Sequence, residues 1–447
     1  MTKRISRRMF LAGSAAAVAA GCASTGKAPG KLSSRSPNEK LNVAGIGVGG
    51  KGASDVDGAS KHANIVALCD VDLEQGRASF ERMPDVPRFQ DYRKMLDKMG
   101  KDIDACTVST PDHMHAMIAM HCIKMGKHVY VQKPLTKDIH EARMLTEAAR
   151  QYKVATQMGN QGHCEDGVRQ FCEILWSGEI GQVHEAHTWT NRPIWPQGIP
   201  DPLPAEPVPA TLDWDLWLGG APERPYNKGY CPFKWRGWWD FGCGALGDMA
   251  CHIMDPVYWS LKLDAPLSVE VISQEGCNAQ TAPNKSVLKY EFGQRGDLPP
   301  VTVYWHDGGN LPPYPEGVPA EEKLGNGEGD NGSLLIGDKG LLTCGTYGND
   351  VRLLPAARMA DYKFPEPSIP RIKDEDSYLN WLEAAKGGAP AASNFDYSGP
   401  FTEMVLLGNL ALRTGKKIEW DAANMKVTNV PEANELVRTN YRKGWSL

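Results

Sequence analysis

The sequence lacks any second apolar run long enough to cross a bilayer. The one near the N-terminus, Phe10 to Gly21, holds 12 residues, against the roughly 20 a spanning helix needs. Membrane contact is thereby confined to that N-terminal segment. A basic excess is also missing. The net charge is −5 with no long run of Lys or Arg, which argues against a nucleic-acid partner. The 11 cysteines contain no C-x-x-C pair and no clustered framework. Cys69 and Cys106 sit inside apolar strand patterns, so the expectation is buried free thiols, not a disulfide scaffold. His113 and His115 have no Cys or carboxylate at helical ligand spacing, so no metal site is expected. There is no internal repeat. At 447 residues, 41% hydrophobic and 23% charged, the chain has the composition of a soluble globular protein with room for two domains.

The first residues stand outside that globular part. Ser6-Arg7-Arg8-Met9-Phe10-Leu11 resembles a twin-arginine export signal. The apolar run closes on Ala19-Ala20-Gly21-Cys22, which resembles a lipoprotein cleavage box with Cys22 as the lipidated residue, although Ala19 stands where Leu is usual. A Ser/Gly/Pro/Lys stretch to Asn38 reads as a tether. Residues 1–38 are therefore assigned to signal and tether. The expected location is the periplasm or cell envelope.

Downstream, short apolar strands alternate with amphipathic stretches. Leu41–Ile46, Asn64–Leu68, Ile103–Val108 and His128–Val131 read as strands. Asp72–Arg82, Tyr92–Met99, His115–Met125 and Ile139–Tyr152 read as helices between them. This alternation predicts parallel βαβ units across residues 39–160. After Val154–Met158 the pattern changes. A helix over Glu165–Trp176 precedes some fifty residues rich in Trp, Pro and Gly. Later segments such as Val301–His306 alternate apolar and polar residues, as a half-buried antiparallel strand does. Asp307–Asn331 reads as a long loop or lid, and Ser377–Lys386 and Phe401–Arg413 as closing helices. Residues 161–447 are thus expected to form a second α/β domain with an open, mainly antiparallel sheet, its last helices packing back on the first domain.

Gly45-x-Gly47-x-x-Gly50 closes the first strand and opens a helix, with an acid about 20 residues on. In that context the glycines let backbone approach a dinucleotide pyrophosphate at a helix N-terminus. Asp70, at the end of the second strand, would accept hydrogen bonds from the adenosine ribose. A carboxylate there repels a 2′-phosphate, which favours NAD over NADP.

Three further stretches carry a resemblance. Ser109-Thr110-Pro111-Asp112-His113-x-His115 follows the third strand, and Gln132-Lys133-Pro134 the fourth. Trp238-Trp239-Asp240-Phe241-Gly242-Cys243-Gly244-Ala245-Leu246-Gly247-Asp248 leads into Met249-Ala250-Cys251-His252. Together, over about residues 40–425, they resemble the glucose–fructose oxidoreductase, inositol dehydrogenase and rhizopine-catabolism family (Gfo/Idh/MocA). That resemblance implies a Rossmann domain followed by an α/β domain. It also implies oxidation or reduction of a carbohydrate carbinol with NAD(P). The family usually has Glu-Lys-Pro where Gln132-Lys133-Pro134 stands.

By resemblance, His252 is the general acid/base, Asp248 a substrate or orienting contact, and Lys133 the hydrogen-bond donor to the reacting oxygen. Asp248 and His252 are four apart, so on a helix they share a face, and imidazole titrates near neutrality. Asp255 is a candidate to orient His252 or to cap. Ser109, Pro111, His115 and Asn160 are candidate contacts of the cofactor pocket. Asn160, Gln161 and His163, where the first domain ends, are candidate ribose or substrate contacts. Seven of the 13 Trp lie between Trp189 and Trp239. Indole faces stack on sugar C–H faces, and Trp195 and Trp238 are the first candidates to touch substrate.

The sequence reading is an exported NAD(P)-dependent oxidoreductase acting on a carbohydrate hydroxyl. Because free NAD is scarce outside the cytoplasm and the twin-arginine route moves folded proteins, the cofactor is expected to be tightly held. One alternative is a redox-neutral NAD-dependent glycosidase working by oxidation, elimination, hydration and reduction. Another is a sugar-binding lipoprotein without catalysis, which Lys133, Asp248 and His252 argue against. A homo-oligomer is expected from the family's sheet pairing.

Overall fold

The computed structural model describes residues 39–326 and 328–447. The Arg7-Arg8 pair and Cys22 lie outside the described residues. Six strands form the first sheet: β1 (Asn42–Ile46), β2 (Asn64–Cys69), β3 (Arg88–Phe89), β4 (Ala105–Val108), β5 (His128–Val131) and β6 (Thr156–Met158). Their order is β3-β2-β1-β4-β5-β6, and every pairing is parallel. β4 and β5 are buried along their whole length, as expected of central parallel strands covered on both faces. The strand order reverses between β1 and β4, which opens a crevice at their carboxyl ends.

The second sheet has nine strands: β7 (Val183–Trp189), β8 (Ser268–Glu275), β9 (Lys285–Phe292), β10 (Val301–His306), β11 (Gly332–Gly337), β12 (Leu341–Cys344), β13 (Arg352–Leu354), β14 (Ile418–Asp421) and β15 (Lys426–Val427). Their order is β13-β12-β11-β7-β10-β9-β8-β14-β15. β7 and β10 pair in parallel and the remaining pairings are antiparallel. Helices Gly244–Ile253 and Phe395–Thr414 pack on one face. Gly408 of the latter lets it approach Tyr290 of β9 and Leu246 closely, since a Cβ there would meet the Tyr290 hydroxyl at 2.1 Å.

Three helices differ from their sequence pattern, the one read from His115 beginning at Asp112. The stretch after β2 becomes helical only at Arg77, because Asp72 bridges to Leu212 and Leu73 donates its N–H to Thr211. The last long helix begins six residues before Phe401, where Asn394 caps Asp396 N. Pro400 lies within it, and a proline in sequence reads as a start. The Ser377–Ala385 helix docks on the first domain, with Trp381 and Leu382 clustered against Leu41, Val43 and Tyr130. The ten described cysteines are free, and all but Cys277 are buried. Among the described residues, no helix is long and apolar enough to cross a membrane. No group of three His, Cys, Asp or Glu side chains there could hold a metal ion.

Candidate active site

A cavity of about 570 Å³ follows the crevice from the β1–helix turn to the Gly244–Ile253 helix. At one end lie Gly47, Gly49, Gly50, Asp70, Asp72, Asp91 and Trp445. At the other lie Lys133, Gln161, Phe233, Trp235, Arg236, His252 and Tyr347.

The glycine turn sits two residues later than the first spacing suggested. Gly45 lies inside β1, where a Cβ would meet Val56 and Val48, and it does not reach the cavity. The same spacing recurs as Gly47-x-Gly49-x-x-Gly52. Gly47 has φ +74°, and a Cβ on Gly52 would stand 1.8 Å from the Gly47 carbonyl oxygen. Only glycine lets that helix start so close to the turn. The turn offers bare backbone to the cavity, and Gly50 faces open space. Two overlapping glycine patterns made the register ambiguous in sequence.

Asp70 secures this turn. Its Oδ2 accepts from Val48 N at 2.9 Å and Gly49 N at 3.1 Å, and its Oδ1 from Asp72 N at 3.0 Å. Burial pushes its carboxyl up to about 6, against these backbone hydrogen bonds. Ser109 lines the cavity and donates to Asp55 Oδ2 at 2.6 Å. Pro111 lines it as well. His115 does not: its ring is buried between the Pro134 and Thr110 carbonyls, both at 2.8 Å, so it braces the two loops. Asn160 is also off the cavity, its Oδ1 accepting from Ser393 Oγ at 2.6 Å.

The reacting end assembles across both domains. Lys133 Nζ donates to Asp248 Oδ1 at 2.8 Å and to the Asp248 carbonyl at 2.7 Å. That leaves one of its three N–H groups for a ligand. Arg236 Nε donates to the same Asp248 Oδ1 at 3.1 Å. Burial works against the Asp248 carboxylate, but Lys133 and Arg236 outweigh it and hold the group down at about 2. Asp248 and His252 share the Gly244–Ile253 helix. The start of that helix is fastened to the first domain by Asp112 Oδ2, which accepts from Cys243 N at 3.1 Å. His252 is buried, with Nδ1 unpartnered and its ring 4.9 Å from Tyr347. Burial and then the Lys133 charge keep it well below the usual imidazole range, so it is neutral. A neutral imidazole beside a lysine ammonium is the arrangement that accepts a proton from a hydroxyl.

Several candidates lie elsewhere. His163 is buried between Trp259 and Tyr397, with Nδ1 2.9 Å from Asp255 Oδ2. Asp255 also accepts from Tyr397. It therefore orients His163 inside the core and does not touch His252. Trp195, bonded to Gln197, and Trp238, wholly buried on the Gly229 carbonyl, do not line the cavity, although the Trp195 ring lies 5.8 Å from the Arg236 guanidinium, which does. Trp217 and Trp235 line the cavity instead. No described residue of the Asp307–Asn331 loop lines it. The sequence reading does not include Lys51, the first residue of the helix after the glycine turn, or Arg236, Tyr347 and Trp445, which reach the cavity from short or irregular segments without a periodic pattern.

The missing family carboxylate has a structural counterpart. Gln132 Nε2 donates to Asp55 at 2.9 and 3.1 Å. Asp55 is fully buried and also accepts from Lys51 at 2.8 Å, Ser109 at 2.6 Å and Tyr378 at 2.7 Å. A glutamate at 132 would set two carboxylates in contact.

Family models agree with this architecture. Residues 41–160 match the oxidoreductase family, NAD-binding Rossmann fold, and residues 182–295 its C-terminal alpha/beta domain. Together they cover just over half of the chain. The chain belongs to the Gfo/Idh/MocA oxidoreductase family. An inositol 2-dehydrogenase from Arthrobacter sp. (strain FB24) is 26% identical over 165 residues, 36% of this chain and 48% of that protein. One from Salmonella typhimurium (strain LT2) is 27% identical over 33% of this chain and 45% of that protein. The chain thus spans about half the length of the curated relatives it matches. The WlbA dehydrogenase from Bordetella pertussis, solved with NADH and UDP-GlcNAcA, shares the fold. Its TM-score is 0.60 at 16% identity, covering 86% of this chain and 99% of that one.

Proposed function

We propose that this chain transfers a hydride between a carbohydrate carbinol carbon and NAD, with Lys133 on the reacting oxygen and His252 taking its proton. The observation that carries this reading is that Lys133 and His252 both line the cavity that begins at the glycine turn, with Asp248 holding Lys133 in place. The bound dinucleotide supplies the hydride acceptor at its nicotinamide ring. The backbone cradle at Gly47–Gly50 and the bare path to Lys133 fit such a group. Asp248 orients Lys133, and Lys133 steadies the developing alkoxide while neutral His252 accepts the proton.

The cofactor end of the cavity favours NAD over NADP. Asp70, Asp72 and Asp91 all line it, and a 2′-phosphate there would face carboxylates. We read the dinucleotide as a resident group. Leu216, Trp217, Cys231, Pro232 and Phe233 from the Trp-rich segment line the cavity, and so does Trp445 near the C-terminus. Arg93 stacks on Trp445 at 4.4 Å, and Arg442 binds the Gly219 and Asp215 carbonyls at 3.0 and 2.9 Å. A covered cofactor suits export through the Arg7-Arg8 signal, with anchoring at Cys22, because it travels with the folded protein. It suits net sugar oxidation–reduction and redox-neutral glycoside cleavage alike. The outer sheet face around Ile272, 52% exposed, is the surface through which a homo-oligomer would form.

The test uses purified full-length protein without added cofactor. Released nucleotide is identified by mass, and absorbance of reduced nicotinamide is followed on addition of sugars and aryl glycosides. Bound NAD that is reduced by a sugar, and is not reduced in Lys133→Ala, supports the reading. Protein whose bound NAD no sugar or glycoside reduces or turns over refutes it.

A further inference from the structure

Lys51, Lys133 and Arg236 are the lysine and arginine side chains that line the cavity. Lys51 is held by Asp55 at 2.8 Å, and Lys133 by Asp248 at 2.8 Å. Arg236 differs. It gives Nε to Asp248, and no hydrogen bond or ion pair to a described residue engages its Nη1 or Nη2. Its guanidinium lies 4.2 Å over the Trp235 ring, with Phe233 at 5.4 Å and Trp195 at 5.8 Å. The plane is therefore set in advance, on an aromatic wall, with its outer edge unpaired. A guanidinium fixed in this way is built to take a planar anion through two parallel N–H···O bonds.

We infer that Arg236 receives the carboxylate of an acidic sugar, a uronic or aldonic acid, beside the carbinol that reacts. This rests on the proposed reading of the cavity as a carbohydrate oxidoreductase site. Arg236 and Lys133 reach the same oxygen of Asp248, so the group on Arg236 and the hydroxyl on Lys133 belong to one small molecule. Charge selects a carboxylate over a phosphate. A dianion would meet one unpaired fork and the neighbouring carboxyls of Asp248 and Asp112, whereas a monoanion matches the fork one to one. The phenyl ring of Phe233, 48% exposed, and the Trp235 indole add apolar surface for the sugar's C–H face.

The test measures binding to NAD-saturated full-length protein by titration calorimetry. The ligands are glucuronate, galacturonate and gluconate. The controls are glucose and galactose, with the methyl esters of the two uronates as neutral isosteres. At least one acid should bind about ten- to a hundredfold more tightly than its neutral counterpart, as a charge-assisted pair predicts. In Arg236→Gln that ratio should fall to about one, and in Arg236→Lys to an intermediate value. Equal binding of acid and ester in the natural chain overturns the inference without recourse to any variant. So does an acid preference that survives Arg236→Gln. Reduced nicotinamide is followed in the same samples. Acid-selective binding together with no reduction or turnover by any of these ligands or by the sugars and aryl glycosides of the preceding test would overturn the oxidoreductase reading and leave the Arg236 carboxylate contact standing.

Discussion

Restoring the family residue at position 132 should harm this protein. In Gln132→Glu the amide nitrogen now 2.9 and 3.1 Å from the two Asp55 oxygens becomes a carboxylate oxygen. Two unit charges about 3 Å apart repel by about 5 kcal/mol at an effective dielectric of about 20. The pair avoids part of this by binding a proton, and it also loses a hydrogen bond to a charged acceptor, worth about 1.5–3 kcal/mol. The net destabilisation at pH 8 is expected to be about 2–4 kcal/mol. Its pH dependence has a definite sign. The new carboxyl titrates in the folded protein above its unfolded value of about 4.3, so the folded state holds an extra proton in that window. The deficit should therefore be small at pH 5 and grow as pH rises towards 8, by up to about 1.4 kcal/mol per unit. Denaturant unfolding of both proteins at each pH isolates the difference from other titrating groups. Adding Asp55→Asn, which exchanges amide and carboxylate, should recover at least half of the loss at pH 8. A deficit independent of pH, no deficit at all, or no relief from Asp55→Asn would refute the reasoning.

Lys133→Ala and His252→Ala should each lower kcat by about 10²–10⁴-fold with NAD still bound, read as turnover beside nucleotide content. Burial and Lys133 keep His252 well below 6.5, so its proton-accepting form persists as pH falls past that value. The acid limb of kcat/KM should then fall well under pH 6.5, and a His252-dependent limb centred near 6.5 would contradict this. Trp445→Ala removes one wall of the cofactor cavity and should weaken NAD retention about three- to tenfold, measured as nucleotide remaining after dialysis.

Local pattern alone determined much of this protein. Buried parallel strands read as short apolar runs, so β1, β4 and β5 and the helices between them were legible. Asp248 and His252 were legible too, because four residues along one helix settle their common face. The glycine turn was found, but two overlapping spacings hid which glycines form it. Only the contact of Gly52 with the Gly47 carbonyl separates them. Helix Phe395–Thr414 was misplaced at its start because Pro400 obeys a local rule that the Asn394 cap and tertiary packing override. His163, Trp195 and Trp238 read as ligand contacts because side-chain chemistry is the same in a core as in a cleft, and only their position off the cavity separates them from Trp217 and Trp235, which are about as buried as Trp195. The Gln132 departure is explained only by Asp55, distant in the chain, whose carboxylate accepts from its amide. Arg236 and Trp445 reach the cavity through folding of segments with no periodicity. Spacing along the chain determined the residues that share an element. Which side chains from separate elements face one cavity was settled only by the packing of the two domains.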